Sequence, residues 1–229
     1  MRLVITDSIK QEEVTLSIVE VVLVIVVTFF LVMLLGSLLY LILDTGLALV
    51  LSELIILAVP LGYMIFKGID IKRYVGLDIS PRLIMLGFAS GALLLCVNIV
   101  ASLILLTVFG ESQAVIESNN MITELSSSPW GLIAVATALG LAGVCEEFAF
   151  RGFLQSTLTR RISFVPAVLI SAFTFGIFHF DPQLVYILSA FSAGLVLGYV
   201  YHRWNSYIVA VIAHSSVNLL VLLTLLLGF

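Results

Sequence analysis

The chain has 229 residues, of which 62% are hydrophobic and 10% are charged, and its mean hydropathy is +1.24. A soluble domain is about 45–50% apolar and about 25% charged, so this composition excludes an ordinary soluble protein and a disordered chain. The ten Lys and Arg residues are too few and too scattered for a nucleic-acid-binding surface. These values predict an integral membrane protein whose surroundings are the lipid bilayer, with no nucleic-acid partner.

Seven apolar stretches are long enough to be transmembrane helices, which need about 20 residues to cross the hydrocarbon core. In chain order they lie near 16–42, 47–66, 83–109, 130 to the 150s, 164–179, 184–201 and 207–228. No segment shows the short apolar–polar alternation of a membrane barrel, so strands are not expected.

The breaks between these stretches define the expected organisation of the chain. The main ones are the charged loop 67–82 and the polar stretch 111–128, and a short or re-entrant piece at 153–161 is left open as an eighth element. We therefore predict an all-α, polytopic bundle of about seven to eight spans that forms a single integral membrane domain, 1–229. Its amino-terminal spans occupy 16–110, and its motif-bearing core occupies about 130–229.

The basic residues are distributed unevenly among the predicted loops. One side of a seven-span arrangement holds nine of the ten basic residues: Arg2, Lys10, Lys67, Lys72, Arg73, Arg82, Arg160, Arg161 and Arg203. The stretch 111–128, on the other side, contains three Glu residues and neither Lys nor Arg. Because basic loops stay in the cytoplasm, we predict a cytoplasmic amino terminus, in the cell membrane or, for a eukaryotic protein, an endomembrane.

Ionisable residues at membrane depth are costly and usually face a cavity or a partner, and the fourth span contains three of them. Glu146 and Glu147 are adjacent, so on a helix they point about 100° apart and cannot share one environment. Glu147 and Arg151 are four residues apart and share a helix face, where they can form an ion pair. Glu146 is left without that partner in a low-dielectric environment, which suits a group that transfers protons.

Two further pairs with the same spacing follow, Phe175 with His179 and His214 with Asn218. A carboxylate, two imidazoles and an amide on three helices can carry out hydrolysis. A Glu–His pair activates water, and a His–Asn pair donates hydrogen bonds to a developing oxyanion. At about 1.5 Å of rise per residue, however, His214 lies about 10 Å and His179 about 24 Å from the basic side. A tilted or late-starting fifth span, or a site near the membrane centre, would reconcile these depths.

Each of these residues also has a purely structural interpretation. His179 fits an interfacial residue at a helix end, and His214 with Asn218 fits interhelical hydrogen bonding. The Glu147–Arg151 pair fits a structural ion pair, whereas two adjacent carboxylates deep in an apolar helix are hard to explain by structure alone. For Glu53, in the second span, we favour a helix end over a cavity.

Taken together, the three motifs resemble the CPBP family of intramembrane proteases, which includes CaaX prenyl endopeptidases and bacteriocin-processing or Abi-like proteins. The motifs occur in the family's order as Glu146-Glu147-x-x-x-Arg151, Phe175-x-x-x-His179 and His214-x-x-x-Asn218. They cover residues 146–218, and the preceding part of the chain matches only in having several spans.

The resemblance implies a role for each motif residue. Glu146 acts with His179 to activate the attacking water, His214 and Asn218 form the oxyanion hole, and Glu147 and Arg151 support the site. The family has been labelled metalloprotease and has also been described as glutamate-dependent without a bound metal. Glu146, His179 and His214 would be the ligands of a zinc ion. We favour the metal-free mechanism, and the cofactor is left open.

The resulting hypothesis is an endopeptidase that hydrolyses a peptide bond in or near the bilayer, with access from the cytoplasmic side. Its substrate is a peptide or protein, and in the prenyl-processing branch a prenylated protein ending in C-a-a-X that loses three residues. The sequence selects neither the substrate nor the oligomeric state. A proton-coupled transporter would use Glu146, His179 and His214 as a relay, but the internal symmetry it predicts is not seen. A non-catalytic membrane scaffold or immunity factor would tolerate Glu146→Gln.

Overall fold

Polar residues that cap helix amino termini mark where the apolar runs begin. Ser17, Asp44 and Ser80 each accept hydrogen bonds from backbone N–H groups at the start of a helix. Ser128 does the same, and Pro129 follows it at the first helical position. The computed structural model describes residues 15–228. In that range the chain forms nine helices: α1 (Ile18–Ile42), α2 (Thr45–Phe66), α3 (Ile71–Val75), α4 (Pro81–Phe109), α5 (Gln113–Leu125), α6 (Pro129–Thr159), α7 (Phe164–Phe178), α8 (Val185–Trp204) and α9 (Tyr207–Leu226).

The predicted all-α fold is confirmed, since residues 15–228 contain helices and no strand. Six of the seven predicted spans are helices long and apolar enough to cross a membrane. The seventh, α7, is apolar but has 15 residues, which makes it about 22 Å long. This is shorter than the hydrocarbon core of about 30 Å.

One detail of the predicted organisation is wrong, and one alternative that was left open does not occur. The polar stretch 111–128 is mostly helical, because Ser112 caps the amphipathic helix α5. The short or re-entrant piece left open at 153–161 is not a separate element in the structure. Instead α6 continues through a π-helical segment, Phe148–Gln155, to Thr159. Gly152 packs closely against Val75 of α3, where a Cβ atom would lie 3.0 Å from a methyl group.

The described charged loops separate to opposite ends of the bundle. At the basic end, Lys67 pairs with Glu20 at 2.7 Å, and Arg160 donates to the carbonyl of Tyr74. At the other end, the Trp130 indole donates to Asp44. This separation agrees with the predicted arrangement of loops. Arg2 and Lys10 lie outside the described residues, and the cytoplasmic amino terminus stays a prediction.

Helix α6 lies at the centre of the bundle. In the most apolar 18-residue stretch of α6, 56% of the residues are buried. The corresponding share is at most 39% in the other five long helices. Small residues let neighbouring helices approach closely, as is common in membranes. At Gly194 of α8, for example, a Cβ atom would lie 2.9 Å from the backbone of Ala172 in α7. The close packing of α7, α8 and α9 around α6 brings the three sequence motifs together.

Candidate active site

The two adjacent glutamates lie where α6 changes from α-helical to π-helical geometry. The regular α-helical part ends at Glu147, and every residue of the following segment, Phe148–Gln155, is buried. A π-helical turn holds more residues than an α-helical turn, and such segments occur often at functional sites. The change in geometry therefore sets the direction of the side chains at and after Glu147.

A buried ion pair anchors the site. The Arg151 guanidinium donates to the Glu147 carboxylate at 2.9 Å, and neither side chain is exposed. This is the pair predicted from the i,i+4 spacing. Arg151 also donates to the carbonyl of Gly194 at 3.1 Å and lies 4.5 Å from the centre of the Phe175 ring. One cation thus ties α6 to both α7 and α8.

His214 of α9 lies between the two glutamates. Its Nδ1 is 2.9 Å from the same Glu147 oxygen that accepts from Arg151, and its Nε2 is 3.7 Å from Glu146. Because an ionised carboxylate only accepts hydrogen bonds, Nδ1 carries the proton in this contact. The other ring nitrogen, Nε2, is the one that faces Glu146. Sequence spacing could not have indicated the contact between Glu147 and His214.

His179 lies at the end of α7 and its ring orientation is fixed by its own helix. Its Nδ1 donates to the carbonyl of Phe175 at 3.0 Å, so the neutral ring has a free acceptor at Nε2. The ring packs edge-on against Phe175 at 4.7 Å and Tyr186 at 5.1 Å. The Phe175 ring also lies 5.8 Å from the ring of His214. Both histidines thus contact one aromatic ring, despite their different calculated depths.

A cavity of about 130 Å³ lies between α4, α7, α8 and α9. His179, His214 and Asn218 line it, so the second and third motifs face the same space. The Asn218 amide donates to the carbonyl of Leu139 at 3.3 Å, which holds the side chain against α6. The amide has a second N–H that this bond does not use.

Glu146 and His179 approach the site from different helices. In the described part of the chain, His214 is the one histidine within ion-pair distance of Glu146. No three His, Cys, Asp or Glu side chains within residues 15–228 converge as a group able to hold a metal. Glu146, His179 and His214 are therefore not arranged as a zinc-ligand trio.

Two polar residues near the site were missed or misread in the sequence. Glu53 lies in the middle of α2, so its interpretation as a helix-end residue is wrong. Its Oε2 is buried with no hydrogen-bond partner among the described residues, and the side chain is within electrostatic range of Glu146. Asn98 of α4 lines the cavity. A single Asn in the middle of a long apolar span was the signal that could have indicated it.

Asp181 organises the loop that follows His179. Its buried carboxylate accepts from the backbone N–H groups of Gln183 and Tyr186 at 2.9 and 2.8 Å, and from the Ser112 hydroxyl at 3.2 Å. Burial alone would raise the pKa of Asp181, but these hydrogen bonds outweigh it and hold the pKa below its ordinary value. The carboxylate thus ties the start of α8, and with it Tyr186, to the loop before α5.

We expect Asp181→Ala to lower the free energy of unfolding by about 1–2 kcal/mol at pH 7, because it leaves buried N–H groups without an acceptor. Asp181→Asn should cost less, since its amide oxygen still accepts. A carboxylate with a lowered pKa stabilises the fold above its unfolded pKa and loses that effect as the pH falls through the folded pKa. The difference in the free energy of unfolding between Asp181→Ala and wild type should therefore be constant near neutral pH. It should become smaller below about pH 4.

Thermal unfolding in detergent, from neutral pH to below about pH 4, measures this difference in stability. Glu124→Ala, at an exposed position of α5, is the control and should change little. An Asp181→Ala variant as stable as this control would show that the carboxylate does not hold the loop.

Comparison with known families covers the carboxyl-terminal part of the bundle. Residues 128–220, from the cap of α6 into α9, match the family model described as type II CAAX prenyl endopeptidase Rce1-like. No curated protein and no solved structure matches the chain. All three motifs lie inside the matched segment. This match to the type II CAAX prenyl endopeptidase Rce1-like family model confirms the resemblance that the motifs indicated.

Proposed function

We propose that this membrane protein is an endopeptidase in which Glu146 is the general base for peptide hydrolysis. The observation that carries the proposal is the position of Glu146. It is a buried carboxylate, 3.7 Å from the His214 ring that lines the cavity, and it lies outside the Glu147–Arg151 ion pair. The Rce1-like family model over the same helices supports this chemistry.

The attacking water lies between Glu146 and His179 in this proposal. One water molecule that hydrogen-bonds to both side chains joins them in this arrangement. The free Nε2 of His179 accepts one hydrogen bond from this water, and Glu146 takes its other proton as the oxygen attacks the peptide carbonyl. Glu146 then gives this proton to the leaving amine nitrogen, which returns the carboxylate to its starting state.

The oxyanion is stabilised from the opposite side by α9. Asn218 offers the N–H that is not bonded to Leu139. His214 can donate through Nε2 only when both ring nitrogens carry protons, because its Nδ1 proton is directed at Glu147. The Glu146 and Glu147 carboxylates lie 3.7 and 2.9 Å from this ring. Arg151 and Glu147 thus act through His214 as positioning residues rather than by contact with the substrate.

The substrate class in this proposal is a carboxyl-terminal CaaX peptide with a prenylated cysteine, from which the last three residues are released. The description of the matched family supports this class.

Hydrolysis of two peptides that differ only in farnesylation tests the proposal. Detergent-purified wild type should release an intact tripeptide from the farnesylated peptide, identified by its mass, and much less from the unmodified peptide. Equal release from both peptides would contradict the prenylated substrate class, but it would still support peptidase activity. Release from neither would contradict the proposed function and favour the non-catalytic scaffold.

A further inference from the structure

Tyr186 belongs to the cavity between α4, α7, α8 and α9 but to none of the three motifs. It lies in the first turn of α8 and lines the cavity together with His179, His214 and Asn218. Its ring packs edge-on against the His179 ring at 5.1 Å. Its backbone N–H donates to the Asp181 carboxylate at 2.8 Å. Tyr186 is therefore held, through both its ring and its backbone, beside the histidine that binds the attacking water in the proposed function.

The hydroxyl group of Tyr186 is open to a ligand. Among residues 15–228 no group hydrogen-bonds to it, and the residue is half-buried rather than buried. The unpartnered side-chain oxygens that this part of the chain encloses completely include one each of Glu53 and Asn98, and the Tyr186 hydroxyl is not one of them. A tyrosine hydroxyl inside a protein usually has a hydrogen-bond partner. We therefore expect a bound water or a substrate to fill this position.

The chemistry of the cavity calls for a further neutral donor. Of the two oxyanion donors on α9, Asn218 offers one free N–H, and His214 donates through Nε2 only when both of its ring nitrogens carry protons. A tyrosine hydroxyl donates at neutral pH without any change of protonation. The cavity is small, about 130 Å³, so a peptide group that fills it lies against the side chains that line it. The Tyr186 hydroxyl is also within electrostatic range of Glu146, the proposed general base.

We propose that Tyr186 is a further catalytic residue, whose hydroxyl donates a hydrogen bond to the carbonyl oxygen of the scissile peptide bond. This inference rests on the proposed function. When the water oxygen adds to the carbonyl carbon, the C=O π electrons move to the carbonyl oxygen, and the hydrogen bond from Tyr186 strengthens with the negative charge. When the C=O bond forms again, the C–N bond breaks and the amine nitrogen leaves with the proton from Glu146. The Tyr186 hydroxyl keeps its own proton throughout.

The test compares wild type with Tyr186→Phe, which keeps the ring beside His179 and removes only the hydroxyl. We expect kcat on the farnesylated peptide to fall about 10- to 100-fold, because a donor to the oxyanion is lost. KM should stay close to wild type, since the hydrogen bond is strongest in the transition state. Tm should not change, because this hydroxyl bonds to nothing within residues 15–228. Tyr199→Phe is the matched control, since Tyr199 is exposed on the same helix and does not line the cavity.

A modified peptide identifies the hydrogen bond itself. A farnesylated peptide with a phosphinate in place of the scissile amide carries negatively charged oxygens on a tetrahedral centre, and so mimics the intermediate. Tyr186→Phe should bind it more weakly than wild type, by the factor by which kcat/KM falls, and Tyr199→Phe should bind it as wild type does. A kcat of Tyr186→Phe equal to that of Tyr199→Phe, or equal phosphinate affinities of the two variants, would overturn the inference and leave the proposed function in place. A wild-type protein that cleaves no peptide would overturn both.

Discussion

Arg151→Met should lower the free energy of unfolding by about 3–5 kcal/mol, the largest stability effect expected from a single substitution in this site. Arg151 and Glu147 are both fully buried, and their ion pair is 2.9 Å long. Removal of the guanidinium leaves the buried Glu147 carboxylate without its ion-pair partner, and the His214 ring is then its remaining hydrogen-bond contact. It also removes the hydrogen bond to Gly194 and the contact with the Phe175 ring.

The double variant Arg151→Met with Glu147→Leu should recover much of this loss, because it removes both charges of the pair together. Unfolding in detergent measures the three proteins against Lys67→Met. Lys67 pairs with Glu20 at 2.7 Å, but both side chains are about one-third exposed, so this control should have little effect. If Arg151→Met were no less stable than the control, the buried pair would not anchor the site.

The long apolar spans could be predicted because hydropathy alone determines which segments enter the bilayer. Helix α5 was missed for the same reason. It is amphipathic and mostly polar, so its mean hydropathy is low. Only the helical spacing of apolar residues such as Val115, Ile116 and Ile122 indicates a helix there. The π-helical segment had no local signal. Its geometry is stabilised by distant partners, for example the Gly198 carbonyl that accepts from Gln155.

The site was predictable within each helix and much less so between helices. The four-residue spacing was enough for the Glu147–Arg151 pair, because both residues belong to one helix. The hydrogen bond from His214 to Glu147 depends on the relative position of α9 and α6 along their axes. Residue spacing within one helix does not determine that position. The pairing of Glu146 with His179 likewise depends on the packing of α7 and on a bridging water, and it stays a prediction.

Glu146→Gln should lower kcat by about 10²–10⁴-fold, the usual contribution of a general base, and leave the fold intact. Glutamine has the same shape but cannot take a proton from water at neutral pH. The substitution spares the buried ion pair, because Arg151 contacts Glu147, whereas Glu146 lies 3.7 Å from the His214 ring. The expected loss is therefore chemical, with KM and Tm close to those of wild type.

The most direct test of the account is the initial rate of cleavage of a quenched, farnesylated CaaX peptide by purified wild type and Glu146→Gln, side by side. Glu117→Gln, an exposed residue of α5, is the matched control. The account predicts cleavage by wild type and by the control, and a rate at least 100-fold lower for Glu146→Gln at equal Tm. Equal rates for wild type and Glu146→Gln would contradict the role of Glu146 as the general base.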